Sequence, residues 1–332
     1  MSSPSVTATH TRLPAFGGFG IVIASAALFG MLGPLSRFAY EAGMDPTSFV
    51  AWRAGVGLVA LALVIAWGIR RGTMRLVRLG DLSTRDRAAL LIAGCMGFTL
   101  NLAMFIAFDR ITIALALLGF YTYPAMVAVV SVVLGRERLD RIRLVALGLA
   151  IVGMAAVVAA QLDPAAAIRF DVIGVALALG AALSQTVYVV VSRDGYRSVP
   201  AEQAIFVVLV ISSIGAAVVA IVAGGGLAAL VYPFRSPSVL PLLVFTGIVT
   251  AAIPSLGFLR GIRAIGGMRA GILMLFEPVV GVALAAWLLG EALAPVQAVG
   301  AAAILIAALL LQRSHAAADD DVERAPVVPV GP

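Results

Sequence analysis

Glu277 stands about halfway along an apolar run, 268–289, and is followed at once by Pro278. A carboxylate in such surroundings is costly unless something serves it. The proline removes a backbone donor and releases a carbonyl one turn earlier. A carboxylate beside freed carbonyls could bind an ammonium group or a proton. The structural alternative is a protonated glutamate bonded to a neighbouring helix. Arg53 also lies inside an apolar run. It could hold a substrate carboxylate, or reach outward to pair with Glu41 or Asp45. Asn101, Gln185 and Ser255 are further polar groups in such runs, with Ser184 and Tyr188 beside Gln185 and with Tyr121 and Tyr123 before Pro124. They offer amides, hydroxyls and aromatic walls to a small polar substrate, or bond helix to helix.

Other chemistries are excluded by residue type. All 23 basic residues are arginine, so neither a phosphate-binding Gly-Lys-Ser/Thr loop nor a Schiff-base lysine is available. The two histidines, His10 and His315, lie in polar tails, and Cys95 is the single cysteine. No metal site, cofactor or Ser-His-Asp triad is expected within the apolar region.

Those candidate residues must be positioned by membrane helices. Hydrophobic residues make up 62% of the 332, charged ones 12%, and the mean hydropathy is +1.08. Such density belongs to a polytopic membrane protein. A spanning helix needs about 20 apolar residues. Ten runs qualify: 17–38, 47–69, 88–108, 113–134, 142–160, 171–192, 201–223, 239–259, 268–289 and 295–312. The first is long enough to span and is kept as a helix rather than read as a signal peptide. Disordered tails are expected at 1–15 and 313–332.

The runs form two copies of one unit. Pro124 to Glu137 and Pro278 to Glu291 each begin with proline and end with glutamate thirteen residues later, at an offset of 154. The same offset carries Pro46 onto Pro200 and Asn101 onto Ser255. The two units are 16–160 and 170–312. Glu137 and Glu291 close their runs on opposite faces and are expected to anchor loops. With a cytoplasmic N-terminus, eighteen arginines fall on the cytoplasmic side and four, Arg37, Arg110, Arg169 and Arg235, on the other. Both termini are therefore expected in the cytoplasm. Five helices per copy is odd, so the second copy must be inverted, an arrangement of secondary transporters with a site near the midplane. This explains the net charge of +6 without nucleic acid.

The doubled pattern resembles the EamA domain of the drug/metabolite transporter superfamily. Pro124 with Leu134-Gly135-Arg136-Glu137, and Phe276-Glu277-Pro278 with Leu289-Gly290-Glu291, carry the resemblance, which extends over 17–312. It implies an all-α inner-membrane permease of ten helices, with the first, third, fourth, sixth, eighth and ninth around a central cavity. Length and layout are similar to the branch that exports aromatic amino acids and methyl viologen. The related small multidrug pumps carry a glutamate in their first helix for proton exchange. Here no acid precedes Glu41, so the resemblance does not bring that coupling with it. Gly33, Pro34, Pro124, Pro254 and Pro278 are the expected hinges, and Gly257-x-x-x-Gly261 an expected close helix contact. The expectation is a non-enzymatic exporter of amino acids or related metabolites, monomeric or a weak dimer in the bilayer. A drug or nucleotide-derivative exporter is the alternative, and an intramembrane lipid-modifying enzyme a more distant one.

Overall fold

The computed structural model describes residues 15–111, 113–136, 140–160, 171–289 and 294–323. Glu137 and Glu291 lie outside them, as do residues 1–14. The first half contains α1 (Ala15–Gly30), α2 (Leu32–Glu41), α3 (Pro46–Arg70), α4 (Thr84–Arg110), α5 (Ile113–Phe120), α6 (Tyr123–Val133) and α7 (Arg141–Ala159). The second contains α8 (Val172–Asp194), α9 (Ala201–Val222), two short helices α10 (Gly226–Leu230) and α11 (Tyr232–Arg235), then α12 (Leu240–Gly247), α13 (Ile253–Ile265), α14 (Gly267–Met274), α15 (Glu277–Leu289) and α16 (Pro295–Glu323). A π-helical turn, Ile248–Ala252, joins α12 to α13. Among the described residues eight helices are long and apolar enough to cross a membrane. Pro295–Leu311 is apolar but shorter, and the ninth expected run is divided between α14 and α15. α16 continues to Glu323, so the expected disordered tail from residue 313 opens as helix. Its alanines at 316–318 favour that continuation.

Prolines decide where helices break. A proline cannot bond the carbonyl four residues earlier, and its ring crowds it. α1 ends at Gly30, four before Pro34; α5 ends at Phe120, four before Pro124; α14 ends at Met274, four before Pro278. Pro254 makes a gentler defect, and the π turn contains Thr250, its residue four back. At the break before Pro278, Leu275 and Phe276 bond the carbonyls three residues back, at 3.1 Å each, so the chain stays served as it turns. Helix starts are capped in the usual way: Asp45, Ser83, Asp140 and Asp171 accept from the amides of Ser48, Asp86, Arg143 and Ile173.

Helix pairing repeats between halves. α1 packs on α13 as α8 packs on α4, and each of these pairs becomes the other when the halves are exchanged. α3 packs on α9 and α7 on α16, each on its own counterpart, while α6 packs on α14, the counterpart of α5. Glycine permits the closest crossings. A Cβ on Gly153 of α7 would stand 2.6 Å from the Gly300 carbonyl oxygen of α16, and one on Gly300 2.5 Å from that of Gly153. Gly257 and Gly261 face Ser25 and Val22 of α1, where added carbons would come within 2.3 and 2.1 Å. The expected close contact is therefore present, between α13 and α1.

Outside the apolar bundle, polar contacts tie segments distant in sequence. Arg110 donates to Asp171 at 2.8 Å, linking the end of α4 to the start of α8. This bond holds the Asp171 carboxyl below the usual carboxylate range. Its contribution is present above the ordinary carboxylate pKa and fades as pH falls through the lowered one. Gln203 of α9 donates to the Val77 carbonyl at 2.6 Å and accepts from the Val77 amide at 2.9 Å, fixing the arginine-rich loop after α3.

The glycine crossing gives a direct test. Gly153→Leu should destabilise the protein by about 1–3 kcal/mol or more, because backbone rather than a movable side chain stands in the way. Gly148→Leu, in the same helix with nothing within 4 Å, should leave the thermal midpoint in detergent nearly unchanged.

Candidate functional site

The four helix defects meet around one set of polar side chains. Gly30, at the end of α1, lies against α15: a Cβ there would be 2.4 Å from the Glu277 carbonyl oxygen. Only glycine lets these two broken ends approach so closely. Glu277 opens α15, so its carboxylate sits at a helix N-terminus, where the helix dipole favours negative charge. It is half-buried. Tyr121, in the break between α5 and α6, and Arg53 are the polar groups that act on it most directly.

Arg53 is buried and turns inward instead of pairing with Glu41 or Asp45. Its Nη1 donates to the Thr250 carbonyl at 3.1 Å, the carbonyl that Pro254 cannot serve. Its Nη2 donates to Asn101 Oδ1 at 2.7 Å, and Asn101 Nδ2 donates back to Gly97 O of its own helix at 2.8 Å. Arg53 thus joins α3, α4 and the π turn. Its Nε is buried without an acceptor among the described residues and is a spare donor. Asp45 is meanwhile occupied as the cap of α3, accepting from Ser48 N and Thr47 Oγ1.

Gln185 of α8 is buried next to Tyr123, whose hydroxyl it engages. The rings of Tyr121 and Tyr123 flank Phe120, with centroids 5.4 and 5.2 Å from it, forming an aromatic wall beside the carboxylate. Glu277, Tyr121, Tyr123, Gln185, Arg53 and Asn101 thereby form one polar and aromatic group. Two expected residues stand apart from it. Ser255 follows Pro254, is half-buried and has no hydrogen-bond partner among the described residues. Tyr188 neighbours Ser192, Tyr196 and Arg263, near the far end of α8. Of the expected hinges, Pro34, Pro124 and Pro278 adjoin true breaks and Pro254 the π turn, while Gly33 lies inside α2, two residues past its break.

Two participants escape a reading of residue types. Tyr40 of α2 carries a buried hydroxyl beside Ser36 and lies close enough to Arg53 to interact with its charge. Thr250 contributes a backbone atom, which no side-chain inventory reveals. Pro254 is the available signal, since it names the carbonyl it leaves unserved.

Such a bundle, with charged groups held at interrupted helices, defines a multi-pass membrane protein of transporter architecture. The EamA-like transporter family model matches residues 16–159 and again 172–313. The chain belongs to that family and carries its domain twice. A solved structure described only as "Crystal structure of protein" superposes with a TM-score of 0.74, over 91% of this chain and 99% of that one, at 18% identity. That likeness concerns the fold alone. A comparison with curated proteins gives no match.

The Arg53 contacts should carry measurable stability. Hydrogen bonds to charged groups contribute about 1.5–3 kcal/mol. Arg53→Lys puts one nitrogen in place of the two that now serve the separate acceptors and should cost about that much in thermal unfolding in detergent. Arg53→Lys and Asn101→Leu combined should cost less than the sum of the two, by at least about 0.5 kcal/mol, because they remove one shared bond.

Proposed function

We propose that this protein is a secondary transporter that exports amino acids or related small metabolites across the bacterial inner membrane by alternating access. The observation that carries the reading is the presence of one acidic and one basic side chain, Glu277 and Arg53, in a single group inside the bundle at the helix interruptions. A free amino acid bears an ammonium group and a carboxylate. Glu277, at the head of α15, is a partner for the first. Arg53, with Nε uncommitted, is a partner for the second. Tyr121, Tyr123 and Phe120 provide aromatic surface for a neutral or aromatic side chain, and Gln185 and Asn101 supply further polar contacts. The aromatic wall favours the branch of the family that exports aromatic amino acids and methyl viologen. Ser255 and Tyr188 are then outlying contacts on the path.

In this reading the ten runs are ten spans in two inverted sets of five, with both termini cytoplasmic. Pro34, Pro124, Pro254 and Pro278 provide the bends on which access alternates, because each interrupts a helix at the site itself. No cofactor or metal enters the cycle, and the unit is a monomer or weak dimer. The runner-up, a drug or nucleotide-derivative exporter of the same superfamily, draws support from the single carboxylate, which would suit a cationic compound.

The test is flux of radiolabelled amino acids in proteoliposomes, with and without a pH gradient. Wild-type flux should saturate. Glu277→Gln and Arg53→Lys should each lower the apparent affinity or the rate by about ten- to a hundredfold, the equivalent of about 1.5–3 kcal/mol. A gradient dependence that disappears in Glu277→Gln would make this glutamate the proton-coupling group. Flux of a cationic drug but of no amino acid would give the runner-up reading, and normal amino-acid flux in Glu277→Gln would return Glu277 to a structural role.

A further inference from the structure

A polar cavity of about 410 Å³ lies at the arginine-rich end of the bundle, and Glu277 is not among its lining residues. Six arginines line it: Arg136, Arg143, Arg193, Arg197, Arg263 and Arg269. They come from both halves of the chain, from the ends of α6, α8 and α13 and the starts of α7 and α14. The volume equals that of roughly a dozen water molecules, enough for a phosphate group with its ester substituent.

The charge around this cavity does not balance. Asp194 lies 3.8 Å from Arg193 and 3.5 Å from Arg197, and Asp140 lies 3.5 Å from Arg143. Glu202 is paired with Arg260, outside the cavity, and its charge also reaches Arg263; Glu137 is a further acid beside Arg136 in the sequence. Setting all four acids against the six arginines still leaves an excess of positive charge. Guanidinium groups gathered in one concavity repel one another, and an anion with more than one negative charge relieves that repulsion.

Backbone carbonyls hold three of these forks, those of Arg136, Arg197 and Arg263, in place. Arg136 Nη1 donates to the Val190 carbonyl at 2.8 Å. Arg263 donates Nη1 to Val199 O at 2.9 Å and Nη2 to Tyr196 O at 3.1 Å, and its Nε is buried with no acceptor among the described residues. Arg197 spans from Arg193 O to Arg263 O. Gly266, with φ of +88°, also lines the cavity and turns the chain into α14, so the N-terminus of that helix lies at the cavity's edge. Arginine forks bind phosphate oxygens two at a time, and a helix N-terminus adds to the attraction.

We propose that this cavity is a binding site for a phosphate monoester or diester, which fastens the two halves together at the arginine-rich end. The ligand is the headgroup of an anionic phospholipid or a soluble organic phosphate, since both present the same oxygens to the same forks. Basic pockets between membrane helices recognise such headgroups elsewhere. Because Arg136 and Arg143 belong to one half and the other four to the second, an anion here favours the arrangement in which the two halves meet at this end. The proposal does not depend on what the central site carries.

The test uses the full chain in neutral detergent and follows the thermal midpoint. The probes are inorganic phosphate, glycerol 3-phosphate, and mixed micelles containing phosphatidylglycerol or phosphatidylcholine, all at constant ionic strength. Arg136→Gln/Arg197→Gln removes two forks. Arg75→Gln/Arg235→Gln removes the same charge from exposed positions outside the cavity. The expected result is a saturable rise in midpoint that survives in the second variant and is lost, or needs at least tenfold more ligand, in the first. A rise with glycerol 3-phosphate would name a soluble ligand; a rise with phosphatidylglycerol alone would name a lipid headgroup. No rise with any probe, or an equal rise in all three proteins, would overturn the site. If the cavity variant does not fold, phenylglyoxal labelling of the wild type decides. The effective phosphate should protect Arg197 and leave Arg235 labelled, and equal labelling with and without it would count against the proposal.

Discussion

A backbone carbonyl inside a bilayer has no water to turn to, and leaving it unserved costs several kcal/mol. The bond from Arg53 to the Thr250 carbonyl answers that constraint, and much of the central architecture follows from it. Pro254 opens the ladder and the π turn accommodates the slack. The guanidinium that fills the gap is thereby held deep in the bundle, where its second nitrogen takes Asn101 and its charge reaches Glu277. One helix defect thus supplies both a carbonyl for the arginine and a reason for the arginine to face inward.

The other three prolines extend the same principle. Each ends a helix four residues upstream, and two of the new ends, at Gly30 and at Glu277, are brought together because Gly30 carries no side chain. A continuous helix would present only side chains at that depth. An interrupted one presents helix termini, with their partial charges, and these favour a carboxylate at the head of α15. The glycine contacts between α7 and α16 and between α13 and α1 hold the surrounding frame close enough for the ends to meet.

Much of this was legible in the chain. Run lengths gave the membrane class, the offset of 154 gave the duplication, and the prolines marked the defects, because each depends on local covalent chemistry. Glu277, Tyr121 and Tyr123 could be singled out because polar groups in apolar runs need partners. The direction of Arg53 could not be read, since Glu41 and Asp45 are near in sequence and the competing acceptor, Thr250 O, is 197 residues away. The separation of Tyr188 from Gln185 depends on which face and which level of α8 meets which neighbour. The arginine-lined cavity was hidden for a related reason. Loop arginines report orientation, and only the three-dimensional approach of α6, α8 and α13 turns them into a concavity.

The contact of Gln203 with Val77 has a mechanical implication. A side-chain amide presents an N–H and a C=O side by side, and here both are used on one residue, so it grips the loop after α3 as a neighbouring strand would, with a fixed register. The loop cannot slide along α9 without losing both bonds together. An axial displacement of α9 inside the bilayer is therefore delivered to the surface loop with little slack, as a pushrod delivers motion to a lever. Leu79, exposed two residues beyond Val77, travels with it. A spectroscopic label at that position would register a rearrangement of the buried helices from outside the membrane.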